Sequence, residues 1–333
     1  MGNYYKLGDG FNLKILNASS NRIKTLSPGC FLPSLETIHL KRNQPKKIAA
    51  NTFLLPVLRK VELQHNQLIT LPLVTLTLQP SSSVASEPTE FYLSSNPFLC
   101  DCEMDYLTKI NKLAISSHYP LVKDLDSIMC TVNNQRNVSG PKVIKPLRVT
   151  SSRQFVCEYR GHCFALCQCC HFFACDCRMQ CPESCSCFHD SAWKHNFIEC
   201  SNTDHINVLP LIPMDVTFIF LDGNNFQSFL RLSFIGHSKV NSLFLNNSKI
   251  VIIGPKSFAG LSQLEILHLE GNWLEEIGES DFSNLTSLRE LYLHDNKIFH
   301  IDQGALVNLS NLQVGQLLML CSNYALSFFL VDN

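Results

Sequence analysis

The stretches LEILHLEGN (residues 264–272) and LRELYLHDN (residues 288–296) decide the fold. Both follow the pattern L-x-x-L-x-L-x-x-N, and the pattern recurs with conservative replacements in VTFIFLDGN (216–224) and VNSLFLNNS (240–248), so that four copies are spaced by 24 residues. Nearer the N-terminus it occurs in LKILNASSN (13–21), LETIHLKRN (35–43) and LRKVELQHN (58–66), spaced by 22 and 23 residues. The chain is therefore built from internal repeats on both sides of a central region.

A single repeat of this length cannot enclose a core, so neighbouring repeats must stack on one another. The L-x-L portion predicts a short strand with inward leucines, and stacked strands form a parallel sheet. Amphipathic helices do not fit, because the period of two is followed by phased apolar residues at Phe258, Phe282 and Leu306. The sequence predicts an α/β repeat fold, a solenoid in two horseshoe blocks.

The asparagine that ends each repeat has a structural explanation. A turn that leaves a strand exposes backbone donors and carbonyls, and a buried carboxamide can bond to both. Ser248 replaces the asparagine in one repeat, and its shorter side chain predicts a weaker turn. The segment QPSSSVASEPTE (79–90) lengthens the interval between Asn66 and Asn96 to 30 residues, which predicts a loop.

Composition limits the classes of function. The 333 residues have a formal net charge of -1 and a pI near 6.8, so they lack the basic character of a nucleic-acid-binding protein. Sixteen cysteines are typical of an oxidising, extracellular compartment. The sequence contains no G-x-S-x-G elbow, no H-E-x-x-H and no phosphate loop, so we predict no catalytic residues, no cofactor and no enzyme activity.

Nine of the cysteines lie within residues 162–187. Six of them allow 15 pairings, which the sequence cannot resolve. Zinc binding is an alternative, although zinc sites favour C-x2-C to C-x4-C spacings and this segment contains mainly C-x-C and C-C spacings. A redox-active cysteine pair is not supported, because no alternating strand and helix pattern surrounds the segment. We predict no metal site. The six junction cysteines are Cys163, Cys167, Cys169, Cys170, Cys175 and Cys177. Cys30 lies far from the other cysteines in sequence and has no assigned disulfide partner, so we expect it to be a small buried apolar residue.

The segments around this junction carry a resemblance to known proteins. SSNPFLCDCEMDYL (94–107) resembles the C-terminal cap of extracellular leucine-rich-repeat proteins, and CPESCSC (181–187) resembles an N-terminal cap. The whole run HCFALCQCCHFFACDC (162–177) to CPESCSCFHDSAWKHNFIEC (181–200) closely resembles the Toll receptors of arthropods, in the long class with two leucine-rich-repeat blocks. The resemblance covers about residues 11 to 313.

The resemblance implies disulfides and a domain organisation. The implied pairs are Cys100–Cys130, Cys102–Cys157, Cys181–Cys187 and Cys185–Cys200. The implied domains are repeats of the first block (1–96), a C-terminal cap (97–160), a cysteine-rich junction (161–180), an N-terminal cap (181–201), repeats of the second block (202–313) and an off-pattern tail (314–333).

Full-length relatives in this family have a signal peptide, a repeat ectodomain, one membrane span and a cytoplasmic TIR domain. The start MGNYYKLGDGFNLKIL lacks the features of a secretory signal, and the apolar run 314–331 is a marginal span interrupted by Gln316, Ser322 and Asn323. We therefore interpret the chain as a partial ectodomain from an incomplete or read-through gene model. The resemblance implies a location on the extracellular face of the plasma membrane.

Function is expected on the strand face, where residues that alternate with the leucines point outward. Aromatic and charged side chains mixed on such a surface suit protein recognition, although each could simply be solvated. The candidate protein-binding residues are His39, Lys41, Phe220, Phe244, His268, Glu270, Tyr292 and His294.

Glycosylation sequons predict where this surface is covered. They occur at Asn17, Asn137, Asn246, Asn284 and Asn308. Asn284 and Asn308 share a repeat position away from the strand face. A glycan on Asn246 would instead obstruct binding on that face.

The resemblance implies a receptor that binds a protein ligand, namely a Spätzle-like cystine-knot cytokine. The alternative partners are other leucine-rich-repeat receptors, including a second copy in a receptor dimer. The role would lie in innate defence or development. A secreted guidance or matrix protein of the Slit type is the alternative, because it also places a C-terminal cap before a new N-terminal cap. A zinc-binding module is a third interpretation.

Overall fold

The computed structural model describes residues 12–79, 87–114, 118–132, 143–163, 178–206, 212–226 and 233–316. It divides into two compact units, residues 1–157 and 158–333. Asn137, the apolar run from residue 317 onward and five of the six junction cysteines lie outside the described residues, and Cys163 is described only in its backbone. Among the described residues, no helix has the length and apolar character that crossing a membrane requires.

The first unit contains a parallel sheet of short strands in the order β1-β2-β3-β4-β6. A smaller sheet, β5-β7-β8, lies within the segment predicted as the C-terminal cap. The strands are β1 (Ile15–Asn17), β2 (Thr37–His39), β3 (Lys60–Glu62), β4 (Glu90–Tyr92), β5 (Phe98–Leu99), β6 (Leu121–Val122), β7 (Met129–Val132) and β8 (Val143–Pro146). Strand β9 (Val156–Tyr159) spans the boundary between residues 157 and 158 and belongs to the large sheet of the second unit. The helices are α1 (Ile110–Leu113) and the 3-10 segments Leu73–Leu76, Asp105–Lys109, Leu125–Ser127, Leu147–Val149 and Ser152–Gln154.

The second unit repeats this architecture. Its strands are β10 (Gly161–Cys163), β11 (Arg178–Gln180), β12 (Ser186–Asp190), β13 (Asn196–Glu199), β14 (Phe218–Phe220), β15 (Ser242–Phe244), β16 (Ile266–His268), β17 (Glu276–Ile277), β18 (Glu290–Tyr292), β19 (His300–Ile301) and β20 (Val314–Gln316). Strands β13-β14-β15-β16-β18-β20 form one parallel sheet, and β12 pairs with β13 antiparallel. The predicted leucine-rich-repeat solenoid is confirmed.

The sheet register explains how the core is built. The central residue of each strand aligns with that of the next, so that Ile219, Leu243 and Leu267 lie side by side, and all three are buried. Burying such a side chain contributes about 2 kcal/mol, and stacking repeats the contribution in every turn. The first unit has an equivalent row through Ile38, Val61 and Phe91.

The predicted asparagine ladder connects successive repeats. Asn66 donates through its side-chain amide to the carbonyls of Leu63 at 2.7 Å and Leu40 at 3.0 Å, and its side-chain oxygen accepts from the backbone N–H of Asn43 at 2.7 Å. Because one carboxamide bonds to its own turn and to the preceding repeat, it satisfies buried backbone groups in both.

Ser248 occupies the ladder position in its repeat and is fully buried. Its hydroxyl lies within donating distance of the Leu221 carbonyl at 3.1 Å and accepts from the N–H of Asn224 at 3.3 Å. The N–H of Phe226 bonds instead to the backbone carbonyl of Ser248, at 2.8 Å, whereas the corresponding N–H of Ile250 bonds to a ladder asparagine side chain. The ladder therefore continues through the serine with a local rearrangement.

Each unit contains two disulfides in its predicted cap segment. The structure links Cys100 to Cys130 and Cys102 to Cys157 in the first unit, and Cys181 to Cys187 and Cys185 to Cys200 in the second. These are the pairs that the cap resemblance implies. A solenoid would otherwise expose the apolar end of its core, and cross-links compensate for the short cap segments.

The expectation for Cys30 was wrong, because its side chain is exposed. Its N–H bonds to the carbonyl of Ser27 in a surface turn, which directs the thiol outward. The neighbouring Phe31 packs instead, with its ring stacked 5.9 Å from that of Phe53.

Candidate functional site

An aromatic column crosses the strand face of the second unit. The parallel register aligns Phe220, Phe244, His268 and Tyr292 on successive strands. Their rings are stacked at centroid distances of 4.7, 4.5 and 4.3 Å, and the planes of His268 and Tyr292 differ by only 6°. The strand spacing of about 4.8 Å is close to the distance at which aromatic rings stack, so the register alone brings them together.

The members of this column differ in accessibility. Phe244, His268 and Tyr292 are half-buried, whereas Phe220 is only 5% exposed. Phe220 lies in register between Glu199 and Phe244, which leaves little of its ring for a partner. The prediction that Phe220 contacts a partner is therefore corrected: its ring stacks on that of Phe244 and supports the aromatic column.

Carboxylates flank the aromatic column. The phenol of Tyr292 donates to Glu290 at 2.8 Å, and His268 Nδ1 lies 3.0 Å from Glu270. Burial, together with the bond to Glu290, raises the pKa of Tyr292 to about 12. Burial is the largest single influence on Glu270 and would raise its pKa, but the hydrogen bond from His268, a backbone hydrogen bond and the electrostatic attraction of His268 and His294 together lower that pKa. The rings are thus held in one orientation by polar contacts at their edges.

His294 completes the predicted set in this unit. It is half-buried one position beyond the strand leucine, its ring centroid lies 6.4 Å from that of Tyr292, and its Nε2 lies 3.9 Å from the exposed carboxylate of Asp295. The Nδ1 atom is buried and has no hydrogen-bond partner within the described part of the chain.

A charged cluster occupies the equivalent face of the first unit. The carboxylate of Glu62 lies 2.6 Å from His39 Nδ1, 2.9 Å from Lys60 Nζ and 3.1 Å from Lys41 Nζ. Burial opposes ionisation, but the hydrogen bonds from His39, Lys60 and Lys41 lower the pKa of Glu62 to about 2. The predicted residues His39 and Lys41 are therefore brought together by a shared carboxylate that is almost completely buried.

Sequence reasoning did not assign Tyr92 to this face. Lys60 Nζ lies 5.0 Å from the ring centroid of Tyr92, whose hydroxyl donates to Glu90 at 3.1 Å, and Glu90 pairs with Lys123 at 3.1 Å. Tyr92 lies just after the predicted loop at 79–90, and its outward position was therefore not assigned. The signal that identifies it is the sequence FYLSSN at 91–96, whose asparagine holds the ladder position.

Some of the residues that carried the family resemblance lie in the described N-terminal part of the second unit. Trp193 stacks on His189 with ring centroids 3.6 Å apart, and Asn196 donates to the buried carboxylate of Asp215 at 3.0 Å. His162 Nε2 lies 2.7 Å from the same carboxylate. These contacts give the residues a structural role, since they stabilise this part of the second unit.

The sequons have different surroundings. Asn17, Asn284 and Asn308 are exposed. Asn246 is half-buried on the strand face, two residues beyond Phe244. The described geometry therefore favours glycans at three sites and disfavours one beside the aromatic column.

Comparisons with known proteins agree with this architecture. The family model described as leucine rich repeat matches residues 216–274 and 262–314. Toll-like receptor 7 of Drosophila melanogaster is 38% identical over 245 residues, which cover 73% of this chain and 16% of the relative. The chain thus spans about a sixth of the length of that relative.

Solved structures give weaker likenesses. A chain of the Drosophila Toll–Spätzle complex is 20% identical, with a TM-score of 0.48, and the match covers 91% of this chain and 34% of the other. Human trophoblast glycoprotein is 23% identical, with a TM-score of 0.34, and the match covers 41% of this chain and 53% of the other.

The stacked parallel strands, the asparagine ladder and the disulfides define a leucine-rich-repeat protein with cross-linked cap segments. The cap arrangement and the identity to Toll-like receptor 7 then make the assignment more specific. The chain belongs to the arthropod Toll type of leucine-rich-repeat ectodomains, rather than to the Slit type.

Proposed function

We propose that the chain is part of the ligand-binding and receptor-association region of a Toll-type transmembrane receptor. This region would lie on the extracellular face of the plasma membrane and act in innate immune or developmental signalling. It would act through recognition of proteins and not as an enzyme.

The observation that carries this proposal is the column of half-buried rings on the strand face of the second unit, Phe244, His268 and Tyr292. Aromatic side chains with fixed rotamers can bury large areas at little cost in conformational entropy, which is why they anchor protein interfaces. Polar contacts to Glu270 and Glu290 hold these rings before any partner arrives.

The partner would be a Spätzle-like cystine-knot cytokine. Support for this class is the family membership together with the chemistry of the face, where carboxylates beside aromatic rings complement basic and apolar side chains. Another leucine-rich-repeat receptor, including a second copy that forms a receptor dimer, is the second candidate, since an extended strand face can also pair with a similar solenoid.

Biolayer interferometry with the purified chain and such a cytokine tests this function. The variants His268→Ala and Tyr292→Ala should each weaken binding by about tenfold or more, as expected for anchor residues. Phe299→Ala is the matched control, because Phe299 is an aromatic residue 63% exposed outside the aromatic column.

Equal binding by all three variants would contradict the proposal. If the cytokine does not bind but sedimentation shows a dimer that Tyr292→Ala dissociates, the partner is a second receptor copy instead. Failure of both measurements would remove the strand face as the recognition surface.

A further inference from the structure

A cavity of about 370 Å³ opens at the ends of the strands in the first unit. Its volume lies within the usual range of small-molecule sites, which is about 300 to 1,000 Å³. The residues that line it are Ser20, Lys41, Arg42, Gln64, His65 and Ser94. They come from four successive repeats and include none of the residues of the aromatic column.

The repeat geometry builds this cavity. Ser20, Arg42 and His65 each directly precede the last asparagine of their repeat, and each has a positive φ, of 57°, 57° and 56°. Such a backbone conformation is uncommon for residues other than glycine, and its recurrence here turns the three side chains in the same direction. The strand register places Lys41, Gln64 and Ser94 beside them as the neighbouring row.

Positive charge is in excess around the cavity. Lys41 shares the carboxylate of Glu62 with His39 and Lys60, so that one anion is bonded to three basic groups. Arg42 and His65 are exposed and take part in none of the ion pairs between the described residues. An anionic group could therefore bind to Arg42 without displacing an existing partner, and a guanidinium matches a tetrahedral oxyanion well.

The cavity is also lined by uncharged polar side chains, which would form hydrogen bonds with a ligand that carries hydroxyl groups. The side-chain oxygen of Gln64 is buried, and none of the residues that the structure describes donates a hydrogen bond to it. Ser20 and Ser94 add two hydroxyl side chains, which donate or accept. If the Gln64 side chain rotates toward the cavity, a sugar hydroxyl can donate to its oxygen, which a simple inorganic anion cannot do.

We propose that this cavity binds a sulfated sugar unit of an extracellular glycan. The sulfate would contact Arg42 and His65, and a ring hydroxyl would donate to Gln64. The site is independent of the proposed protein-binding face in the second unit.

Isothermal titration of the full chain with a heparin-derived tetrasaccharide at physiological salt tests the site. The background variant is Asn17→Gln, which prevents a glycan on the nearby sequon from occupying the cavity. In this background, Arg42→Ala should lower the affinity by about tenfold, because it removes a charge-assisted hydrogen bond. Gln64→Leu should weaken binding several-fold with no change in charge.

Lys47→Ala is the matched control, since Lys47 is an exposed basic residue outside the cavity. It should change the affinity less than twofold, and a desulfated tetrasaccharide should not bind detectably. An equal effect of Lys47→Ala, binding of the desulfated sugar with the same affinity, or no binding of the sulfated sugar would each overturn the proposal. Unchanged melting temperatures of the variants separate loss of the site from loss of the fold.

Discussion

The imidazole of His268 is stacked on the phenol ring of Tyr292, 24 residues later, with ring centroids 4.3 Å apart. Each side chain also bonds to a carboxylate of its own repeat, His268 to Glu270 and Tyr292 to Glu290. The contact therefore connects two neighbouring repeats on the surface that we propose for ligand binding.

This contact should contribute to stability as well as to recognition. A double-mutant cycle with His268→Ala and Tyr292→Ala should give a coupling free energy of about 1 kcal/mol, the usual value for aromatic pairs. Urea denaturation monitored by circular dichroism measures it. The pair His268→Ala and Phe299→Ala serves as the control and should be additive.

The Glu62 cluster predicts a defined pH dependence. The pKa of Glu62 is about 2 in the folded chain against an ordinary value of 4.5. A lowered folded pKa stabilises the fold above pH 4.5, and this stabilisation is lost as the pH falls from 4.5 towards 2. We expect a loss of about 3 kcal/mol across this window.

Urea midpoints of the wild type and Glu62→Gln at several pH values measure the effect. The two proteins should differ most at pH 6 and should approach each other near pH 2. A constant difference between them at all pH values would show that the carboxylate does not act through its charge.

Ser248 offers a test of the asparagine ladder. Ser248→Asn should raise the free energy of unfolding by about 1 kcal/mol, because a carboxamide donates two hydrogen bonds where a hydroxyl donates one. Ser248→Ala should lower it, since it leaves the N–H of Asn224 without that acceptor. Differential scanning calorimetry checks both, and a destabilised Ser248→Asn would mean that the rearranged turn has no space for the longer side chain.

Glycan occupancy tests which face is free to bind. Mass spectrometry of the secreted protein should find glycans on the exposed Asn284 and Asn308, and Asn246 without a glycan, because Asn246 is half-buried beside Phe244. Full occupancy of Asn246 would remove the surrounding strand face from the candidate binding surface.

The repeats could be predicted because their signal is periodic and local. Leu267 and Leu291 each fix a strand core, and Asn272 and Asn296 mark the following turns, so the solenoid is evident from spacing alone. The pattern also assigns an outward position to His268, which the structure confirms at the strand face.

The remainder depended on contacts between repeats. His39 and Glu62 are 23 residues apart, and only the sheet register brings them within 2.6 Å. Burial of Phe220 depends on its neighbours on both sides, and exposure of Cys30 depends on the direction of one surface turn. The identity of each residue alone predicts neither the burial of Phe220 nor the exposure of Cys30.

Hydroxyl-radical footprinting of the chain with and without a Spätzle-type cystine-knot cytokine tests the central claim most directly. The account predicts that the ligand protects Phe244, His268 and Tyr292, while Phe299 and Trp273, which are exposed outside the aromatic column, keep their reactivity. Protection of Phe299 and Trp273 with unchanged reactivity of the column would contradict it.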